Sequence, residues 1–508
     1  MTEASGSRRW WALAALALAM LATGLDSTVL TVALPTLARD LHASTSQLQW
    51  FSGAYTLVLA AVLLPAGAAG DRVGRKRLLL AGLVIFAAAS VWCAYCGGAG
   101  ALIAARAALG LGAAVMMPLS LAVLPSIFPD RDERARAFTI WVTSTAVGLP
   151  LGPILGGWLL EHFWWGAVFL INVPLVLVGG AAVAALVPES RSPDKVFLDP
   201  PGTVLSSLGL LALTFGFIQA GQDGWGNPVA WVMITAGIAA LTGFTVWQHR
   251  AAHPLIDLRL FTSRWFSWGT IFATTVSFGL FGLLFAVPQF FQAVDGASPL
   301  GTGIRLLPMI GGLLVGTRAA APVVRKSGAR PVLAAGFILL AAGLGLGASS
   351  SRSTGYGLTA TWIILVGAGL GTVLPAAMNA ALAELPPGRA GSGSALITAL
   401  RQAGGTIGVA VLGTVLSSGY HTALGQLDRP PVSDSVFAGV AAMRSLGRPG
   451  AVASVQSAFT HGMDLMLATT AGICALAAVL AVIVLPRRRP ADTTVTADAR
   501  REGPVNAR

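Results

Sequence analysis

The feature that most restricts this chain is an almost unbroken succession of apolar segments, running from about residue 11 to residue 486. Nearly all exceed 18 residues, and about 20 apolar residues carry a helix through roughly 30 Å of hydrocarbon. Soluble domains run at about 25% charged residues. Here the figure is 11%, with 55% hydrophobic residues and a mean hydropathy of +0.74, so the soluble classes are excluded. The fold class this dictates is an all-α polytopic membrane protein.

Apolar runs read against charged breaks predict fourteen spans. The first covers residues 11–38; it follows Arg8 and Arg9 but offers no small-residue cleavage site, so it reads as a retained span. Span five covers 137–160, span ten 303–321, span thirteen 391–418 and span fourteen 465–486. With the N-terminus inside, 25 of the 33 Lys and Arg fall in inner segments, counting Arg318 at the inner edge of span ten with them, 5 in outer ones, and Arg106, Arg305 and Arg401 inside spans. That bias places both termini in the cytoplasm. The net charge of +12 is then a topology signal facing anionic lipid, with no single domain gathering it for nucleic acid. Thirty arginines against three lysines, in an Ala/Gly/Pro-rich chain, suggest a GC-rich bacterial genome and hence a bacterial cytoplasmic membrane. The longest break, 419–464, lies outside; its amphipathic stretch 436–443 fits either a surface-lying helix or an irregular loop. Cys93 and Cys96 form a CxxC at the end of a span with no strand–helix context, which reads as packing.

Two features repeat at nearly one offset. Glycines 148, 152 and 157 are matched by 404, 408 and 413, and the basic turn at 71–76 is echoed at 325–330. This predicts two related six-helix halves, 11–188 and 265–486. A region at 189–264 with two additional spans lies between them, and residues 1–10 and 487–508 form tails. Duplicated halves with a site at their interface are how secondary transporters are built. No lysine follows a glycine, so there is no Walker A motif, and no histidine precedes a glutamate, so there is no HExxH. Gly367, Gly369 and Gly371 lie in an apolar helix, where close helix packing is the better reading.

Asp26 is the one acid that this reading places deep in a span. A charge at mid-bilayer costs at least ~2.5–3.5 kcal/mol, so it persists with a partner or a purpose. At 1.5 Å per residue Asp26 lies ~22 Å from the inner face and Arg106 ~8 Å from the outer one. These depths coincide in a ~30 Å core. The pair is either a permanent salt bridge or a protonation switch in which Arg106 tunes Asp26. Gly67, Gly70, Asp71, Arg72, Gly74, Arg75 and Lys76 make a tight inner turn in which Asp71 either pairs locally or faces a helix N-terminus. Gly148, Gly152 and Gly156 share one helix face, bent beside Pro153 and continued by Gly157. Small residues at that period admit a second backbone, for which Gly312 and Gly316 of span ten are a candidate counterpart.

These stretches resemble the signature motifs of the major facilitator superfamily, in particular its fourteen-span drug:proton antiporter branch. Leu102-xxx-Arg106-xxx-Gly110-x-Gly112, Phe169 to Pro174, Pro288 to Gln292 with Ser298-Pro299, and Arg401 to Gly405 are similar to that branch too. The chain departs from it in carrying Thr31 where an Asn is usual and Trp164-Trp165-Gly166 for Trp-Arg-Trp. The resemblance implies two six-helix bundles plus two inserted helices, rocking about a central cavity. It implies an inner-gate latch at Asp71 and Arg75, an antiporter motif at Gly148–Gly157, and Asp26 with Arg106 as the proton-linked pair. The expected activity is proton-driven export of an amphipathic or lipophilic small molecule by a monomer that is not an enzyme and uses neither metal nor cofactor. A lipid or peptide cargo, or a non-pumping scaffold, is the alternative. Trp50, Tyr55, Trp141, Asn172, Gln289, Phe290 and Gln292 are candidates for the cavity wall, lipid-facing or packing positions fitting each equally. Arg401 would meet an anionic group or snorkel to phosphates.

Overall fold

A computed structural model describes residues 3–191, 199–252, 254–349, 355–383 and 390–486. The first helices are α1 (Glu3–Asp40), α2 (Thr45–Val73), α3 (Arg75–Ala94), α4 (Ala99–Ala122), α5 (Leu124–Ile127), α6 (Arg131–His162), α7 (Ala167–Leu170) and α8 (Asn172–Leu186). Next come α9 (Pro200–Asp223) and α10 (Pro228–Arg250). The remainder are α11 (Arg264–Ala293), α12 (Pro299–Arg305), α13 (Leu307–Ser327), α14 (Ala329–Gly347), α15 (Tyr356–Leu382), α16 (Ala390–Leu424), α17 (Val436–Ser445) and α18 (Pro449–Val484). Thirteen of the described helices, taking α4–α5, α7–α8 and α12–α13 as continuous, are long and apolar enough to cross a membrane. α6 is long enough, but it is not among them; its first turns carry Asp132, Glu133, Arg134 and Arg136.

Two stretches differ from the sequence reading. Span fourteen, expected at 465–486, begins at Pro449, and span thirteen runs on to Leu424, so the break at 419–464 shrinks to a short excursion holding α17. Small and polar residues at 449–464 hid this helix from an apolar-run count. α17 buries Val436, Phe437, Gly439, Val440 and Met443, which favours the surface-lying helix over an irregular loop. The extension also places Asp464 inside a helix, so Asp26 is not the only acid in the long apolar helices. Arg305, expected inside span ten, does lie within the continuous span Pro299–Ser327, as the last residue of α12, and pairs with Asp295 at 3.1 Å.

Backbone contact through glycine organises the packing. Gly148, Gly152 and Gly156 lie against Leu21–Val29 of α1. Gly404 and Gly408 lie in the same way against Thr274 and Phe278 of α11, so the repeated glycines do repeated work. Gly312 and Gly316 are not the counterpart of the α6 glycines: they seat on Ile364 and Ala368 of α15, while Gly367 and Gly371 of α15 seat on Met309 and Leu313. The α2–α16 contact runs inward to the hydrogen bond from Thr406 Oγ1 to Thr56 Oγ1 at 2.8 Å, and other contacts joining the N-terminal to the C-terminal helices lie toward the end that carries α17, here the far end. There Gln292 donates to the Val32 carbonyl at 3.0 Å, and the Leu300 amide donates to Glu161 at 3.2 Å. Thr45 donates its amide and hydroxyl to the Asp434 carbonyl. The opposite end, which carries the start of α1 and the end of α18, is the terminal end.

Candidate functional site

Asp26 lies mid-way along α1 and is fully buried. Arg106 of α4 donates from Nη1 to its Oδ2 at 2.8 Å, and Asn172, the first residue of α8, donates from Nδ2 to its Oδ1 at 3.1 Å. Both carboxylate oxygens are therefore held by donors, one of them charged. Arg106 is itself locked, with Nε donating to the Phe51 carbonyl at 3.1 Å and the guanidinium 4.7 Å from the Tyr55 ring centre. The Asn172 Oδ1 atom is buried without a partner.

A narrow cavity of about 20 Å³ opens beside the pair, lined by Ser27, Thr31, Ser52, Tyr55, Thr56 and Arg106 on one side and Phe281, Leu284, Phe285 and Val409 on the other. A void needs about 10–15 Å³ and two or more polar partners to hold a water, so this one has space for a single water against hydroxyls. Arg106 forms part of its wall, while Asp26 sits behind the guanidinium.

Of the eight wall candidates, only Tyr55 lines this cavity. Trp50 faces away, its ring tilted against Phe215 of α9. Trp141 donates to Ser120 of α4, Asn172 lies behind Asp26, and Gln289 returns its amide to Phe285 of its own helix. Phe290 packs on Phe291, and Gln292 reaches the far-end contact with Val32. Arg401 donates to Ser277 at 3.1 Å and touches the Met378 sulfur, within the C-terminal helices. Helix rotation decides these placements, and residue type alone does not reveal rotation. The hydroxyl residues Ser27, Ser52 and Thr56 were missed because an isolated Ser or Thr in a span so often bonds its own preceding turn, as Thr56 also does to Gly53.

The basic turn folds locally. Arg75 holds Asp71 at 2.8 Å and the Ala122 carbonyl at 3.1 Å, and Gly74 has φ +130°, which only glycine adopts readily. Gly67 and Gly70 face Pro118 and Leu119 of α4, Lys76 donates to the Ala184 carbonyl, and Arg72 is exposed. Glu189, which the sequence did not single out, accepts the Lys76 amide at 3.1 Å and fills the space a Cβ at Gly74 would need. The three cysteines are buried and unbridged, and among the described residues no group of His, Cys, Asp and Glu is placed to hold a metal.

Comparison with known proteins places this geometry in a family. The chain is 33% identical over 510 residues to the tetracenomycin C resistance and export protein of Streptomyces glaucescens, covering 96% of this chain and 94% of that one. It is 35% identical over 489 residues to the multidrug efflux pump LfrA of Mycolicibacterium smegmatis, covering 95% and 96%. The fold is shared with a bacterial homologue of the human lysosomal transporter Spinster in an inward-facing, unoccupied form, at a TM-score of 0.67 and 16% identity over 94% of this chain and 97% of that one. The Major Facilitator Superfamily model matches residues 16–409, and the chain belongs to that family of membrane transporters, not to an enzyme family.

Proposed function

We propose that this transporter is a proton-coupled antiporter that exports amphipathic small molecules from a bacterial cell by alternating access. On this reading the fold has fourteen spans, α6 included, arranged as two six-helix bundles with α9 and α10 inserted. The terminal end is cytoplasmic and the protein acts as a monomer. The observation that carries the reading is the buried Asp26–Arg106–Asn172 cluster directly beside the central cavity. Relatives named for tetracenomycin C, puromycin and methyl viologen resistance support a small-molecule cargo.

In the cycle, ionised Asp26 neutralises Arg106. Protonation removes the charge that holds the guanidinium, which turns toward the cavity and its hydroxyls and disfavours a bound cation or dipole there. Cargo and proton thereby compete for one form of the site, the condition for exchange. Gln292, Glu161 and Thr45 close the far end in the state described, and Asp71 with Arg75 serves the inner end. A full charge crossing the membrane releases ~2.3 kcal/mol per 100 mV. At one proton per neutral cargo this sustains about a 40-fold concentration ratio, since 1.4 kcal/mol is tenfold. The test uses proteoliposomes with an imposed proton gradient and ethidium as probe. The wild type accumulates ethidium against its gradient, whereas Asp26→Asn inserts and folds but only equilibrates it. Uphill movement retained in Asp26→Asn overturns the reading.

A further inference from the structure

The inserted pair α9–α10 takes no part in the cycle above, yet its packing is specific. α9 lies across the seam between α2 and α16 and touches both. Gly221 seats on Thr414, where an added Cβ would lie 2.9–3.2 Å from that residue. Thr414 Oγ1 donates to the Phe217 carbonyl at 2.6 Å and Ser417 Oγ to the Gly221 carbonyl at 3.1 Å. Midway along the seam Leu57 and Ala60 of α2, Leu210 of α9 and Ala403 of α16 close into a separate apolar cluster. α10 backs this plug. Gly209, Gly216 and Gly237 bring α9 and α10 together, and the Asp199 carboxylate takes donors from Gly202, Trp247, Gln248 and Leu255. The wall over this seam is two helices thick and pinned at its base.

The opposite seam, between α6 and α12–α13, has no such cover among the described residues. α6 meets the C-terminal helices at the far end, where Gly303 seats on Pro153 and Gly157 on Leu300. Toward the terminal end the partners diverge. α6 follows α1 and α13 follows α15 through Gly312 and Gly316. Apolar Val147 on α6, and Leu314, Val315 and Val323 on α13, stand exposed along that stretch.

We propose that α9–α10 is a lateral seal, so that lipid and lipid-dissolved cargo are excluded from the α2/α16 seam and amphipathic cargo reaches the cavity from the terminal-side leaflet between α6 and α13. The seal rests on packing alone, whereas the cargo route rests on the export reading. An amphipath partitions into the leaflet at far higher concentration than in water, so a single lateral opening sets the path it takes, and a second opening would let acyl chains into a polar cavity.

The test uses the full chain in liposomes, with Cys93, Cys96 and Cys474 replaced by Ala and a single nitroxide at Thr143, Leu314, Trp50 or Ile407. Collision with lipid-dissolved oxygen is expected to be at least threefold greater at Thr143 and Leu314 than at Trp50 and Ile407. Asp199→Ala should raise it at least twofold at Trp50 and Ile407 while leaving Thr143 and Leu314 unchanged. Equal oxygen access at all four positions overturns the seal, whether or not ethidium is transported. For the route, a bulky maleimide on Leu314→Cys should raise the ethidium KM at least fivefold, and the same label on Ile238→Cys, on the exposed side of α10, should leave it within twofold. An unchanged KM with transport intact overturns the route. Uphill transport in Asp26→Asn strikes only the coupling.

Discussion

Gly148→Ala puts the reading of the glycine stripe to a quantitative test. A Cβ at Gly148 would lie 2.8 Å from the Leu21 carbonyl oxygen, 2.8 Å from the Leu25 nitrogen and 2.9 Å from the Gly24 carbonyl carbon. Ordinary contact begins near 3.4 Å, so the shortfall is 0.6 Å, and all three obstacles are backbone. Nothing there yields by changing rotamer, so α6 and α1 must part over a turn or more. Overpacking of this kind costs about 1–3 kcal/mol. Gly→Ala in an unobstructed helix interior gains roughly 0.5–1 kcal/mol from the backbone entropy of the unfolded chain. Gly311 and Gly243, with nothing within 4 Å, supply that reference, and Gly156 is intermediate because its nearest obstacle is the Val29 Cγ2 methyl at 2.6 Å. The order of stability should be Gly311→Ala at or above wild type, then Gly156→Ala, then Gly148→Ala, with the extremes about 1–3 kcal/mol apart. Thermal unfolding in detergent, followed by size-exclusion of the folded fraction, measures it. Gly148 abuts Leu25, the neighbour of Asp26, so ethidium exchange should fall in the same order. If Gly148→Ala is as stable as Gly311→Ala, backbone contact between α1 and α6 is not what holds them.

Other consequences differ in scale because burial differs. Arg106→Ala leaves an unpaired charge in a fully buried site and should destabilise by about 3–5 kcal/mol, whereas Arg305→Ala breaks a part-exposed pair with Asp295 and should cost less than about 1 kcal/mol; unfolding of both variants checks the contrast. Tyr420→Phe removes a buried hydroxyl donated to the Val432 carbonyl at 2.8 Å and should cost about 1 kcal/mol, seen as earlier proteolysis of the α17 excursion. At Asp199 burial pushes the carboxyl up, but the hydrogen bonds from Gly202, Trp247, Gln248 and Leu255 outweigh it and hold the group below its ordinary 3.8. Its stabilisation is thus complete above the unfolded value and is lost as pH falls through the lower folded one. A wild-type unfolding profile should therefore decline below about pH 4 by more than that of Asp199→Asn.

The parts of this molecule that were legible in its sequence are those where one physical requirement admits few residues. Asp26 and Arg106 stood out because a membrane charge needs a partner, and the rise per residue put them at one depth; the structure has them 2.8 Å apart. The glycines at 148, 152, 404 and 408 stood out because only a missing side chain lets backbones touch, but their spacing did not say which helix they touch. Gly312 and Gly316 show the difference, having the right spacing and a different partner. Asn172 stayed open between cavity wall and packing because an amide signals a polar surrounding without saying whose. Helix α18 was misjudged at its start because hydropathy reports lipid contact, and residues 449–464 pack in part on α16 and α17, where Thr, Ser and Gln are tolerated.

The repeat of the glycine contacts has a consequence for how the proposed halves move. α6 seats its glycines on α1, and α16 seats its own on α11, so within each pair the separation is fixed by backbone and resists sliding. One turn further on, each glycine-bearing helix makes a contact of a different kind. Gly157 of α6 touches Leu300 of α12, and Gly413 of α16 touches Gln49 of α2, each crossing to the other set of helices at the far end. The two crossings are mirror counterparts, because Gln49 and Leu300 both lie in the first turns of a helix entering from that end. Welded pairs joined by these two crossings, together with the Gln292–Val32 and Leu300–Glu161 hydrogen bonds, can rotate about an axis between them, and opening the far end must break them together. A side chain at Gly157 or Gly413 therefore acts on the equilibrium between states, while one at Gly148 or Gly404 acts on stability. Gly413→Ala, which forces Gln49 aside, should favour the far-end-open state and leave the unfolding temperature nearly unchanged, because Gln49 is a flexible side chain whose Nε2 makes no hydrogen bond that would be lost. Cysteine accessibility from the far end reads that population, and an unfolding temperature lowered as far as in Gly148→Ala, with no gain in accessibility, would contradict the division of labour between the two kinds of glycine.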